Sequence, residues 1–152
     1  MIYLKNTKTY DFNNADELWF IVRSAGKCMD LIRNSKKCKW IPDLSPQSEL
    51  FHKYLDLKQR NWNEQTFQSV FVPTFINNLK CNPKGLEYLK LLEQEGFNKH
   101  IELICFCDHE ELCHRSIIGG ILLNRHPDDG LIECNHEYVK YGVMFDGKYG
   151  GQ

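Results

Sequence analysis

Two short runs frame this sequence: Leu18-Trp19-Phe20-Ile21-Val22, and the stretch from His100 to Cys107, HIELICFC. Neither alternates apolar with polar residues as a half-exposed strand does. Continuous runs with aromatic and β-branched members mark strands covered on both faces. Strands of that kind sit in α/β proteins, where helices cover a mainly parallel sheet, so the segments around them must supply the helices.

Those segments carry helical signals. Ser45-Pro46 reads as an N-cap followed by a first-turn proline, and Leu50, Phe51, Tyr54 and Leu55 then fall at helical spacing, predicting a helix over about 46 to 58. Asn61 with Glu64 three residues on resembles a capping box, and Trp62, Phe67, Val70, Phe71, Phe75, Ile76 and Leu79 give an apolar face that Pro73 must kink or divide. Asn82-Pro83 starts another helix that stops at Gly96. After HIELICFC come a short acidic loop and the apolar stretch SIIGGILLNR, ending before His126-Pro127; strand, loop, helix is the order of a right-handed crossover. The Gly119-Gly120 pair in that helix implies close packing against the sheet. Residues 23 to 39 hold six basic residues against the single acid Asp30, a long basic loop with some helix around 27 to 33. The expected organisation is one α/β domain over 1–126, with a short mainly parallel sheet and helices on both faces. A C-terminal extension over 127–152 forms one more strand or a surface tail.

Several classes are excluded. No apolar run approaches the ~20 residues of a membrane-spanning helix. The opening MIYLKNTKTYDFNN has no apolar h-region, which predicts a cytoplasmic protein. Nineteen basic against twenty acidic residues leave a net charge of -1, so polyanion binding would need a local patch. Seven cysteines, an odd number in a chain without a secretion signal, read as reduced thiols.

The reactive side chains concentrate in C-F-C-D-H-E-E-L-C-H-R, Cys105 to Arg115, at the carboxyl end of the second strand, where ligands bind in open α/β sheets. A helix N-terminus there, with Arg115 and His114, favours an anionic ligand. The first strand ends at Arg23-Ser24, so neighbouring strands would bring Arg23 and Arg115 over one crevice. The residues assigned to the ligand are Arg23, Ser24, Trp40 (stacking on a base), Arg115 and Ser116; those assigned to chemistry are His114, Cys107 and Cys113.

The stretch ICFCDHEELCHRSII, together with Trp40-Ile41-Pro42-Asp43-Leu44-Ser45-Pro46 and Ile21-Val22-Arg23-Ser24, resembles the domain of unknown function 488 family of cytosolic bacterial and phage proteins. Ser45 stands where that family usually has alanine, and the pattern spans residues 21 to 125 without covering the 24 to 39 segment or the tail. The resemblance implies a Rossmann-like fold and a pocket around the cysteine-histidine-arginine element; it implies no particular reaction.

The residues leave competing readings. The first is a pocket for a small phosphorylated, nucleotide-type ligand, with hydrolysis or transfer on that ligand. The second is a non-catalytic module that sequesters a nucleotide signal or a partner. A third is a zinc-stabilised structural or nucleic-acid-binding protein, with Cys105, Cys107, Cys113 and His114 as ligands. No second C-x2-C pair supports zinc, so buried thiols, no metal and no cofactor are the expectation. A cysteine nucleophile is disfavoured by the absence of a Cys-x5-Arg loop, and because adjacent helical residues such as Cys113 and His114 should not face each other. The acids Asp108, Glu110 and Glu111 make a compact ligand a better fit than a nucleic-acid strand.

Overall fold

Five parallel strands, β1 (Ile2–Asn6), β2 (Glu17–Phe20), β3 (Cys38–Trp40), β4 (Ile101–Cys105) and β5 (Ile132–Glu133), form one sheet in the order β3-β2-β4-β1-β5. This is seen in a computed structural model that describes residues 1–146; the terminal GKYGGQ, part of the expected extension, lies outside the described residues. The two runs singled out above are β2 and β4, and every residue of both is buried. They are direct neighbours, with Phe20 paired to Ile104, so their carboxyl ends emerge side by side. On its other edge β4 pairs with β1 in a register that sets Asn6 beside Cys105.

The described residues also form seven α-helices: α1 (Met29–Asn34), α2 (Ser48–Arg60), α3 (Glu64–Thr66), α4 (Val72–Lys80), α5 (Pro83–Glu95), α6 (His114–Arg125) and α7 (Val139–Phe145). The expected α/β architecture holds, with unequal layers. Trp19, Ile21, Ile2, Leu4, Ile101 and Leu103 face the large core, which takes apolar residues from all the helices from α2 to α7 but the single-turn α3. Leu18, Phe20, Val22 and Ile104 face a thin second core, closed by Tyr10, Ala15 and the α1 residues Leu31 and Ile32.

Local details correct several sequence readings. Ser45 does not cap α2: its Oγ donates to the Pro42 carbonyl at 2.6 Å, closing a 3-10 turn over Pro42–Leu44, and α2 begins at Ser48. The cap of α3 is Asn63, whose Oδ1 accepts from the Thr66 amide at 2.9 Å, rather than Asn61. Pro73 interrupts the α-helical pattern, as expected, through a π turn rather than a gap. A π turn over Phe67–Phe71, closed by the Val72 amide donating to the Phe67 carbonyl, widens the turn ahead of a ring that lacks a donor and would clash with the carbonyl four residues back. Of the two expectations for the extension, a further strand or a surface tail, the structure shows the strand: β5 pairs with β1, and the helix α7, which neither expectation included, follows it. Tyr138, Tyr141 and Phe145 are buried against the domain.

α6 carries almost no amphipathic signal because it is buried from His114 to Leu123, between the sheet and the helices α4 and α7. A Cβ on Gly119 would meet Leu4 Cδ1 of β1 at 2.9 Å, so Gly119 packs on the sheet as expected. Gly120 instead faces the other way, against the Tyr138 backbone. Among the described residues no helix is long and apolar enough to cross a membrane.

Candidate functional site

The segment linking β4 to α6 folds back over the sheet's carboxyl edge. A 3-10 turn, Glu110–Leu112, shortens it, and the Cys113 amide closes that turn on the Glu110 carbonyl at 3.1 Å. Tyr138 fixes it from the extension, its hydroxyl donating to Glu110 Oε2 at 2.8 Å. Cys113 is the extended N-cap of α6 (φ -126°, ψ 149°), and Ser116, buried in the first turn, donates its Oγ to the Cys113 carbonyl at 2.8 Å.

The three residues Cys113-His114-Arg115 reach three strands. His114 Nε2 lies 2.6 Å from the Ile21 carbonyl oxygen, just past the end of β2. Arg115 donates Nη1–H to the Lys5 carbonyl of β1 at 2.6 Å, Nη2–H to the Cys107 carbonyl at 2.7 Å, and Nε–H to Cys113 Sγ at 3.3 Å. Cys113 sits with Cys105 and Cys107 over the end of β4. The Cys105 and Cys107 sulfurs are 3.8 Å apart. Because Cys113 lies outside the helix proper, its side chain and that of His114 converge, with Sγ 3.6 Å from Nδ1. The expectation that these neighbours cannot meet fails for that reason: the spacing rule holds only inside the helix.

The surroundings set opposite tendencies on the thiols. Burial pushes Cys113 up, but hydrogen bonds from Cys105 and Cys107 and the charge of Arg115 outweigh it and hold this thiol well below the ordinary value. The Cys105 thiol is raised, by its bonds to Cys107 and Cys113 and by burial. At Cys107 the bond from Cys105 lowers the thiol, but the bond to Cys113 and burial outweigh it and leave it raised. Burial lowers the His114 imidazole and so favours its neutral form.

In front of this cluster opens a cavity of about 320 Å³. Val22, Arg23, Ser24 and Phe106 line one side, and Pro46, Phe51, Tyr54, Lys58 and Phe71 the other, with Cys105, Cys107, Cys113 and His114 at the floor and Asp108 near the loop. Tyr54 Oη comes within 3.8 Å of Cys107 Sγ. Trp62 packs edge-on against Tyr54, with centroids 4.8 Å apart, and so fixes the ring from behind.

Of the residues assigned from sequence, the structure gathers Arg23, Ser24, Cys107, Cys113 and His114 around this cavity. Arg115, 2% exposed, lies behind the floor with its donors turned to backbone carbonyls and a sulfur. Ser116 is buried inside α6. Trp40 stands outside the cavity, 40% exposed, its indole N–H donating to the Val22 carbonyl at 2.9 Å and tying edge strand β3 to the end of β2. Sequence reasoning missed the aromatic wall. Phe51, Tyr54 and Lys58 recur at three- and four-residue spacing on α2; the sequence reading takes Phe51 and Tyr54 only as markers of the helix, and the lysine that ends their stripe was the available signal.

Compared with known families, residues 4–126 match the model DUF488-N3a, described as the active DUF488-N3 subclade. No curated protein and no solved structure matches the chain.

Proposed function

The chain belongs to the DUF488 family, and from that premise we propose that it binds a small phosphorylated, nucleotide-type ligand in the cavity at the carboxyl ends of β2 and β4 and acts on it there. The observation that carries this reading is the polarity of the cavity: aromatic walls from Phe51, Tyr54, Phe71 and Phe106, with Arg23 and Lys58 among the lining residues. Flat apolar walls suit a base, and exposed cations suit a phosphate. The floor is built of sulfurs, and the Arg115 guanidinium is spent on carbonyls behind it, so the phosphate belongs on the solvent side with Arg23 and Lys58 and the base belongs inward. This revises the placement suggested by sequence, in which Arg115 and the first amides of α6 held the phosphate. The matched subclade is described as active, which favours hydrolysis or transfer on the ligand over passive capture.

Isothermal titration of the full chain with a nucleoside 5'-monophosphate, the corresponding nucleoside and inorganic phosphate tests the reading. Native mass spectrometry of the fresh protein, with analysis of any small molecule released on denaturation, accompanies it. The expected order is nucleotide tightest, nucleoside weaker and phosphate weakest. Phosphate binding as tightly as nucleotide, or none of the three binding, overturns it.

A further inference from the structure

Three sulfurs and one ring nitrogen converge at the cavity floor. The ligand atoms of Cys105, Cys113 and His114 all lie within 4.8 Å of one another, and all three residues are buried. Cys107 lies outside that set of three, its sulfur 3.8 Å from that of Cys105, and would complete the four by closing on them; Cys113 Sγ and His114 Nδ1 are 3.6 Å apart. A tetrahedral zinc ion with Zn–S of ~2.3 Å and Zn–N of ~2.1 Å separates two sulfur ligands by ~3.8 Å and a sulfur from a nitrogen by ~3.6 Å. These two separations match the sulfur–sulfur and sulfur–nitrogen ligand distances of such an ion.

The hydrogen bonds around the cluster agree with this. A carbonyl oxygen can only accept, so the contact to Ile21 fixes the proton of His114 on Nε2 and aims the bare Nδ1 lone pair at Cys113 Sγ. Donating the second ring N–H to a backbone carbonyl is the usual posture of a metal-bound histidine. The Arg115 guanidinium is buried with two carbonyl oxygens and one sulfur as its hydrogen-bond partners and no carboxylate among them. A buried cation calls for a compensating negative charge, and Cys113 Sγ, on which its Nε–H bears, is the sulfur that supplies it when deprotonated. Three thiolates and a neutral imidazole on a divalent ion carry a net charge of minus one, so a loaded site keeps that compensation beside Arg115.

We propose that Cys105, Cys107, Cys113 and His114 hold one zinc ion in a closed three-sulfur, one-nitrogen site that locks the end of β4, the following loop and the start of α6 together. On loading, three S–H protons leave to solvent, three Zn–S bonds and one Zn–N bond form, and no oxidant or reductant takes part. The site does not depend on what the cavity in front of it binds.

The test uses the full chain, reduced, stripped with chelator and titrated with Co2+ as a spectroscopic substitute for Zn2+. The expected result is one equivalent bound, with the intense visible bands of a tetrahedral ion and sulfur-to-cobalt charge transfer in the near ultraviolet. The loaded protein should resist alkylation at the half-buried Cys107 while exposed Cys81 reacts freely, and chelation should restore the reactivity of Cys107. Failure of the unmodified chain to retain Co2+, or an octahedral spectrum without charge transfer, overturns the proposal without recourse to a variant. Cys107→Ser should weaken binding by on the order of a hundredfold; unchanged affinity in that variant, folded by circular dichroism, overturns the four-ligand set.

Discussion

His114 Nε2 lies 2.6 Å from the carbonyl oxygen of Ile21, which ties the first residue of α6 to the chain leaving β2. The next residue, Arg115, holds the Lys5 carbonyl of β1, and the residue before, Cys113, stands over the end of β4 beside Cys105. One tripeptide thus spans three adjacent strands in the order β2-β4-β1. The floor of the cavity is set by backbone carbonyls gripping side chains from α6, so its shape depends on the sheet register as much as on the identities of its residues.

Arg115 is therefore expected to behave as a staple. In Arg115→Lys the charge survives, but one ammonium cannot reach the Lys5 carbonyl, the Cys107 carbonyl and Cys113 Sγ at once, leaving at least one buried group without a donor. Unsatisfied buried polar groups cost about 1 to 3 kcal/mol each, so a loss of roughly 2 to 4 kcal/mol is expected in urea denaturation. A loss below about 1 kcal/mol, with ligand affinity reduced instead, would return Arg115 to the role of ligand contact.

What was legible in the sequence was what buries continuously. β2 and β4 are uninterrupted apolar runs, and the helix Pro83–Glu95 is bracketed by Asn82 and Gly96, so both the strands and that helix could be read directly. β1 and β3 were not, because β1 buries only Ile2 and Leu4 and β3 is a three-residue edge strand inside a basic segment, where pairing rather than pattern makes the strand. The cavity's location followed from β4 running into Cys105. Its aromatic wall did not, since a cavity-facing stripe on α2 has the same period as a core-facing one. The inward turn of Arg115 was equally hidden: it depends on which carbonyls end β1 and the β4 loop, a fact of register.

At the opposite edge of the sheet, Glu17 gives a pH signature. Burial alone would raise its carboxyl, but donors from Lys99 at 2.7 Å, Trp19 at 2.8 Å and Lys39 at 2.9 Å outweigh it and hold the group at about 2 against an ordinary 4.5. Because the folded value is depressed, the contribution is fully present above the unfolded value and fades as pH falls toward the folded one. Discounting the solvent-exposed lysine ends, it is on the order of 2 kcal/mol. The stability gap between the natural chain and Glu17→Gln, followed by thermal melts, should be widest near neutrality and narrow steadily as pH falls from about 4.5 to about 2. A gap independent of pH would show that Glu17 acts through packing alone.

Gly120 joins the extension to the domain. A Cβ there would strike the Tyr138 carbonyl group and lie 3.1 Å from Tyr141 Cβ, so relief requires moving backbone. Gly120→Ala should cost about 2 to 4 kcal/mol by forcing α7 off α6. Gly130 is the control: its φ of +78° disfavours alanine, yet nothing lies within 4 Å, and Gly130→Ala should cost only about 1 kcal/mol. Equal effects in denaturant titrations would mean that α7 can slide without penalty and that the seam is not tight.

Arg23 and Lys58 test how a ligand lies in the cavity. Both are exposed and line the cavity from opposite sides, Arg23 beyond β2 and Lys58 on α2 with its Nζ 5.7 Å from the Tyr54 ring centroid. Removing either cation should leave the fold unchanged, since neither is buried. If the phosphate lies outward, Arg23→Ala and Lys58→Ala should each weaken nucleoside monophosphate binding by roughly five- to tenfold, about 1 to 1.4 kcal/mol, and leave nucleoside binding untouched. Phe51→Ala should weaken both ligands alike, because it removes wall from around the base. Raising the salt concentration should reproduce the two cation variants and spare the aromatic one, since exposed charges are screened and stacking is not. Equal losses of nucleotide and nucleoside in Arg23→Ala would place the base rather than the phosphate against that side of the cavity and reverse the orientation.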